Sequence, residues 1–359
     1  MKKIFSVITI VCTVFAAVAQ QNNTTSPLTI SGYAEVYHSF DFNKPKDHNK
    51  PAFIYSYARH NETTLNIGLL KAAYQKENVR ANLALMAGTY TNANLAAEPG
   101  VLKNIFEANA GVKLSNKKDL WVDAGIFASH IGFESAIGKD CWNLTRSILA
   151  ENSPYYQSGV KLSYTSLNKK WFISGLLLNG WQRIQRIDGN NTPAFGHQLT
   201  FKPNANIVLN SSSFIGNDKP DSVKQMRYFH NFYGQFKLNT LFDIIVGFDI
   251  GIEQKAKGST SYNNWYAPVL IVKFSPNTKN NIAARLEYFK DKNGVIIYTG
   301  SPNGFNTWGY SINYDYLISP NIIWRVEGRM FTAKDAIFTR ENKQVQTNIF
   351  LTTSLAISF

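Results

Sequence analysis

Between Leu241 and Gln254 the chain alternates with a period of two. Phe242, Ile244, Val246, Phe248, Ile250 and Ile252 fall on one face, and Asp243, Ile245, Gly247, Asp249, Gly251 and Glu253 on the other. Side chains of an extended strand point alternately to opposite faces, so this pattern predicts a strand with one apolar side. The same alternation runs through "VRANLALMAGTYT" from Val79 and "LWVDAGIFAS" from Leu120. These segments are 10 to 14 residues long. A strand of a soluble protein is typically about 5–6 residues, whereas one tilted ~45° across a bilayer needs about 9–11.

Carried along the whole chain, the pattern predicts sixteen strands, near 30–40, 63–74, 79–91, 104–114, 120–129, 155–164, 171–180, 195–203, 206–215, 225–238, 241–253, 263–274, 281–290, 304–317, 321–332 and 345–359. Alternation breaks, or a proline intrudes, in 63–74, 195–203 and 263–274. Even-to-odd connections are short turns such as "QKEN", "SNKKD" and "ISP", and odd-to-even ones are nearly all longer, such as "NKPKDHNKPAFIYSYARHNE". Short turns on one side and long loops on the other predict an all-β, transmembrane, antiparallel up-and-down β-barrel of about sixteen strands, its turns periplasmic and its loops outside. In lipid every backbone N–H and C=O needs an internal partner, so the sheet must close and the last strand must pair with the first. The terminal "TNIFLTTSLAISF" then supplies a lipid face ending in Leu355, Ile357 and Phe359. It resembles the signal that barrel proteins present to their assembly machinery, which typically ends in Phe.

Composition fits that picture. The chain has 24 Phe, 18 Tyr and 7 Trp and only 17% charged residues, yet it is polar on average. Alternating strands with aromatic girdles produce that combination. The start, "MKKIFSVITIVCTVFAAVAQQ", has two lysines, an apolar run from Ile4 to Val18 and Ala17-Val18-Ala19 before Gln20. It reads as a secretory signal over residues 1–19, followed by one barrel domain over 20–359. Cleavage there removes Lys2, Lys3 and Cys12, lowers the formal charge from +13 to +11 and leaves Cys141 alone, so no internal disulfide is expected. The expected location is the Gram-negative outer membrane, in contact with its lipid.

Strand charges including Arg80, Lys113, Asp123, Lys161, Arg227, Asp249, Arg285, Arg325 and Arg329 fall on the non-lipid face and are expected to line the lumen wall. On the lipid face an Arg or Lys at mid-bilayer would cost up to ~2–4 kcal/mol. The longest connection, roughly 130–154, is "HIGFESAIGKDCWNLTRSILAENSP". It carries Glu134, Asp140, Glu151, Lys139 and Arg146 beside Ile131, Phe133, Trp142, Ile148 and Leu149. That much apolar bulk predicts packing against a wall.

The stretch "DAGIFASHIGFESAIGKDCWNLTRSILAENSPYYQSGVKLSY" resembles the central region of the OmpL-like beta-barrel porin family. The likeness rests on Gly125, Gly132-Phe133-Glu134, Asn143, Arg146-Ser147, Pro154 and Gly159. The opening "ISGYAEVYHSFDFN" is similar to that family's first strand, and Gln157 stands where a His is expected. The resemblance implies a porin, a channel for passive diffusion of small hydrophilic solutes. By the porin layout the 130–154 loop would fold into the lumen, with Glu134, Asp140, Arg146 and Glu151 at the constriction. Homotrimeric association is left open.

The positive charge suggests a mild anion preference. The alternatives are a plugged structural or adhesion barrel and an outer-membrane barrel enzyme. The six histidines beyond residue 19, among them His130 near Glu134 and Ser135, form no recognisable catalytic spacing, so no enzyme is expected. No metal cluster, cofactor motif or nucleic-acid signature is visible, and a receptor-gated transporter would need about 22 strands and a plug.

Overall fold

The computed structural model describes residues 26–359; the expected signal segment, 1–19, lies outside them. The strands are β1 (Leu28–Asp41), β2 (Thr63–Lys76), β3 (Val79–Ala87), β4 (Ile105–Lys113), β5 (Asp119–Ala128), β6 (Tyr156–Thr165), β7 (Trp171–Leu178), β8 (Ala194–Asn204) and β9 (Ile207–Asn217). They continue with β10 (Met226–Lys237), β11 (Phe242–Gln254), β12 (Tyr262–Phe274), β13 (Asn280–Asp291), β14 (Phe305–Ser319), β15 (Ile322–Ala333), β16 (Phe338–Arg340), β17 (Lys343–Val345) and β18 (Thr347–Ser358). Sixteen of them form one closed antiparallel barrel in chain order, and β18 bridges β15 and β1. The short β16–β17 pair stands apart.

Closure is made by the register Tyr33↔Ser358 to Asp41↔Phe350. Gly32 and Phe359 complete it by exchanging backbone hydrogen bonds of 2.8 and 3.0 Å. A Cβ at Gly32 would run into the Phe359 ring, so glycine is required where the last aromatic lies across the first strand.

Facing follows the alternation. On β11, Val246, Phe248 and Ile250 are exposed while Ile245, Asp249 and Glu253 are buried. On β18, Ile349, Leu351, Leu355 and Ile357 face out and Asn348, Phe350, Thr352 and Ser354 face in. The three irregular strands all form, each with a visible cause of irregularity. The β1–β2 register shifts between Glu35 and Val36, opposite the bulged Asn66. The β8–β9 register shifts between Phe201 and Asn204, around Pro203. The β12–β13 ladder skips Pro268, which has no N–H to give.

Two boundaries differ from expectation. The third strand ends at Ala87, not 91: Gly88, at φ 138°, turns the chain into helix α1 (Thr89–Asn94), and Tyr90 is buried inside the barrel. The last strand starts at Thr347, not 345, because residues 338–345 form their own hairpin over Glu341 and Asn342, both at positive φ (47° and 70°). That is the backbone of a tight two-residue turn.

One polar cluster sits on the lipid face. His197, Ser211, Ser213 and His230 are joined by bonds of 2.6 Å (Ser213–His197) and 2.8 Å (Ser211–His230). Exposed Phe195, Ile215 and Tyr228 lie on its outer side and Leu199, Leu209 and Phe232 on its periplasmic side.

Candidate functional site

The connection between β5 and β6 folds into the barrel. It leaves β5 along the wall, where His130 Nε2 is 2.8 Å from the Ser213 carbonyl and Gly132 N–H donates to Asn231 (3.2 Å). It then crosses the lumen. Lys139 N–H reaches the Tyr33 hydroxyl on β1 (3.3 Å), and Leu144 N–H reaches Asn313 on β14 (3.0 Å). A short helix, α2 (Ile148–Glu151), capped by Ser147, brings the chain back toward β6.

Four arginines fix this path. Arg285 donates to the Thr145 carbonyl (2.7 Å) and to Glu327 (2.9 Å), with Glu287 at 3.3 Å and Glu134 at 3.8 Å. Arg329 pairs with Glu287 (2.6 Å) and donates to the Arg146 carbonyl (2.7 Å). Arg325 pairs with Asp315 (2.6 Å) and donates to the carbonyls of Gly138, Cys141 and Trp142 at 2.6, 2.9 and 3.1 Å. Arg146 has no carboxylate partner among the described residues; it donates to the loop carbonyls of Ser135, Leu144 and Ala136 at 2.5, 2.5 and 3.2 Å. The wall carboxylates in turn accept loop N–H groups: Glu327 from Thr145 and Glu287 from Ile148, each at 2.5 Å. Buried charge is tolerable only when it is matched: Arg285, Arg325 and Arg329 are ion-paired, and Arg146 is held by carbonyl oxygens.

The remaining expected residues have these partners. Glu134 accepts from the Ser147 N–H (3.0 Å) and hydroxyl. Glu151 accepts from Tyr55 N–H (3.0 Å) and Ser56 N–H (3.2 Å) of the first outer loop. Burial pushes both carboxyls up, Glu151 to about 7. Asp140 is exposed. Arg80 is bidentate to Asp123 at 2.7 and 2.5 Å and lies over Trp121. Lys161 sits 4.6 Å from the Phe127 ring centre, and Lys113 is half-buried. Arg227 pairs with Glu253 (2.7 Å) near the outer rim, and Asp249 accepts from Asn231 (2.5 Å).

A closed sixteen-stranded barrel with an inward third outer loop can be compared with known proteins. The family described as "Putative beta-barrel porin-2, OmpL-like" matches residues 27–359. The chain belongs to that family. No curated protein matches it. Among solved structures it is similar to an anion-selective porin from Comamonas acidovorans (8% identity, 93% of this chain and 100% of that one, TM-score 0.62). It is also similar to Salmonella typhi OmpF in complex with daunomycin (10%, 92% and 97%, TM-score 0.61) and to a trimer form of Vibrio cholerae OmpT (10%, 92% and 99%, TM-score 0.60). At such identities the likeness is one of fold. Family and fold together make this a porin-like channel of the outer membrane.

In this OmpL-like porin two cavities flank the inward loop. The outer one, about 290 Å³, is lined by Glu151, Trp181, Arg183, Asp218 and Arg227 among others. The periplasmic one, about 760 Å³, lies against β4–β10. No residue lines both.

Sequence reasoning did not single out Glu35, Tyr57 and Asn66. The Glu35 carboxylate accepts from the Tyr57 hydroxyl (2.9 Å), Asn66 (3.3 Å) and Ser354 (3.1 Å), tying the first outer loop into the lumen. An inward-facing acid in the first strand was the available signal. Its partners lie too far along the chain to be paired by spacing.

Proposed function

We propose that this porin passes small hydrophilic solutes by passive diffusion, that the 130–154 loop narrows its lumen, and that the passage mildly favours anions. The observation that carries this reading is the seating of the loop across the barrel on Arg285, Arg325 and Arg329. A loop so held sets a fixed aperture, and aperture and charge set selectivity in such pores. Solutes would move between the outer and periplasmic cavities beside the loop. The fold is shared with the anion-selective porin from Comamonas acidovorans, and the formal charge of +11 that remains without residues 1–19 points the same way.

Three further assignments accompany it. Residues 1–19 serve as an export signal. The closing strand through Leu355, Ile357 and Phe359 is read by the assembly machinery. Protomers associate as trimers, as OmpT does in its trimer form; the outward Ala72, Ala81, Ala110 and Ala124 of β2–β5 would allow close approach of a second wall.

A plugged barrel is the second reading. Tyr57 and Leu144 pack with Tyr37, and Arg146 lies over the Tyr57 ring, all of them buried, so outer loops fill part of the outer lumen. Single-channel recording in a planar bilayer separates the two. Stable open current, an anion-favouring reversal potential and higher conductance after shortening the 130–154 loop are expected. Folded barrels without current would overturn the diffusion reading in favour of the plug.

A further inference from the structure

The wall arginines of the outer half of the lumen are ion-paired within the protein; several lysines of the periplasmic half are not. In the outer cavity Arg183 is 3.6 Å from Asp218, and Arg227 pairs with Glu253 at 2.7 Å. Below the loop, Lys71 pairs with Glu107 (2.6 Å), and Arg80 takes both oxygens of Asp123. Asp123 is the register partner of Lys161, so the acid nearest Lys161 is already engaged.

Lys161, Lys113, Lys170 and Lys202 have no ion-pair partner among the described residues. The last three line the 760 Å³ periplasmic cavity, together with Lys169 of the β6–β7 turn. Asp119 is the one carboxylate there, and its Oδ1 accepts from the Trp121 indole N–H at 2.7 Å. Phe172, Gln198 and Thr200 complete the wall. Lys161 and Thr165 share the inward face of β6, which at about 3.3 Å per residue puts Lys161 some 13 Å above the cavity's Thr165.

We propose that this lysine track is a binding site for multivalent oxyanions, solutes bearing two or more phosphate or carboxylate charges. The inference rests on the channel reading and deepens it: the charge that selects lies at the periplasmic mouth and not on the loop. Uncompensated cations in a low-dielectric cleft focus the field and concentrate counter-ions. Ammonium groups on flexible stems take phosphate and carboxylate alike. The neighbouring Gln and Thr add neutral hydrogen-bond partners.

The test uses the barrel purified from membranes, with inorganic tripolyphosphate and citrate as separate probes. Calorimetry in detergent reads binding without needing current. The wild type is expected to bind tripolyphosphate at low salt and to lose it in 1 M salt, where screening is nearly complete. Lys113→Gln/Lys170→Gln/Lys202→Gln should weaken binding roughly tenfold, on the scale of charge-lined clefts. Lys117→Gln/Lys118→Gln/Lys279→Gln, which removes the same charge outside the cavity, should leave it unchanged. In the bilayer, tripolyphosphate should block at lower concentration from the periplasmic side. Equal loss in both triple variants, or no wild-type binding, overturns the site. Binding without any current upholds the site and overturns the channel reading instead. Citrate binding as tightly as tripolyphosphate identifies a general multivalent-anion site, and its failure to bind restricts the site to phosphates.

Discussion

Arg325→Met should free the inward loop without opening the barrel. The guanidinium makes two bonds to Asp315 (2.6 and 3.0 Å) and reaches three loop carbonyls, those of Gly138, Cys141 and Trp142. Methionine keeps most of the stem and none of the donors. Breaking a buried pair from one side costs ~3–5 kcal/mol, because the partner charge is left uncompensated. Each unpaired carbonyl adds about 1 kcal/mol, though such costs are not additive within one network. Asp315 keeps its bond from Asn313 (2.7 Å), which limits the damage. A net loss of about 4 kcal/mol is therefore reasonable, and it falls on the loop, since the β14–β15 ladder is backbone. At 1.4 kcal/mol per decade, the open-loop population rises by roughly a thousandfold. Trypsin reports this directly. Lys139 is exposed, but Arg146 is wholly buried, so cleavage after Arg146 requires the loop to lift. Cleavage after Arg146 should accelerate by two to three orders of magnitude while heat-resistant barrel migration persists, and Asp315→Asn in the same chain should restore part of the protection. An acceleration below about tenfold would refute the claim that these bonds seat the loop.

Two further outcomes follow from the same geometry. Burial raises Glu151 to about 7, so the folded loop holds its proton more tightly than the unfolded chain does. That stabilisation is complete below about pH 4.5 and is lost as pH rises through 7. Loop protection against trypsin should therefore fall between pH 5 and 8, with a flatter profile in Glu151→Gln; an identical slope in the variant would exclude Glu151 as the source. Replacing His197 and His230 by Leu and Ser211 and Ser213 by Val, all on the lipid face, should raise the urea midpoint of the vesicle-embedded barrel by an amount corresponding to ~1–2 kcal/mol, because a satisfied polar cluster in hydrocarbon gains little over well-packed apolar side chains. A fall in the midpoint would show that the cluster holds β8, β9 and β10 together.

The barrel is legible in the sequence because lipid leaves the backbone few solutions. Period-two alternation reports facing, strand length reports the bilayer, and connection length reports the side. Even irregular β2, β8 and β12 were locatable, since a bulge or a proline interrupts a ladder without moving its ends. What escapes this reading is local backbone choice and distant pairing. Nothing periodic announces the Glu341–Asn342 hairpin or the inward turn at Gly88. Arg285 and Arg325 could be placed on the inner face. Their contacts with Thr145 and Gly138 lie 140 and 187 residues away in the chain, and no spacing rule reaches that far.

The division of charge along the lumen has a physical logic. A loop crossing a barrel must satisfy its own backbone away from bulk water, and this one lends carbonyls to arginines and N–H groups to carboxylates on the wall. A charge committed to that task is desolvated and matched, so it presents little field to a passing solute. Arg285, Arg325 and Arg329 therefore set where the loop sits, and substitutions there alter the aperture before they alter charge preference. The ammonium groups of Lys113, Lys170 and Lys202 have no ion-pair partner among the described residues, so their field extends into the cavity, and they can change without disturbing the fold. Size selection and charge selection thus reside in different residues at different depths. A reversal potential that shifts in the lysine variants at constant conductance, and a conductance that shifts in Arg325→Met at constant reversal potential, is the signature that separation requires.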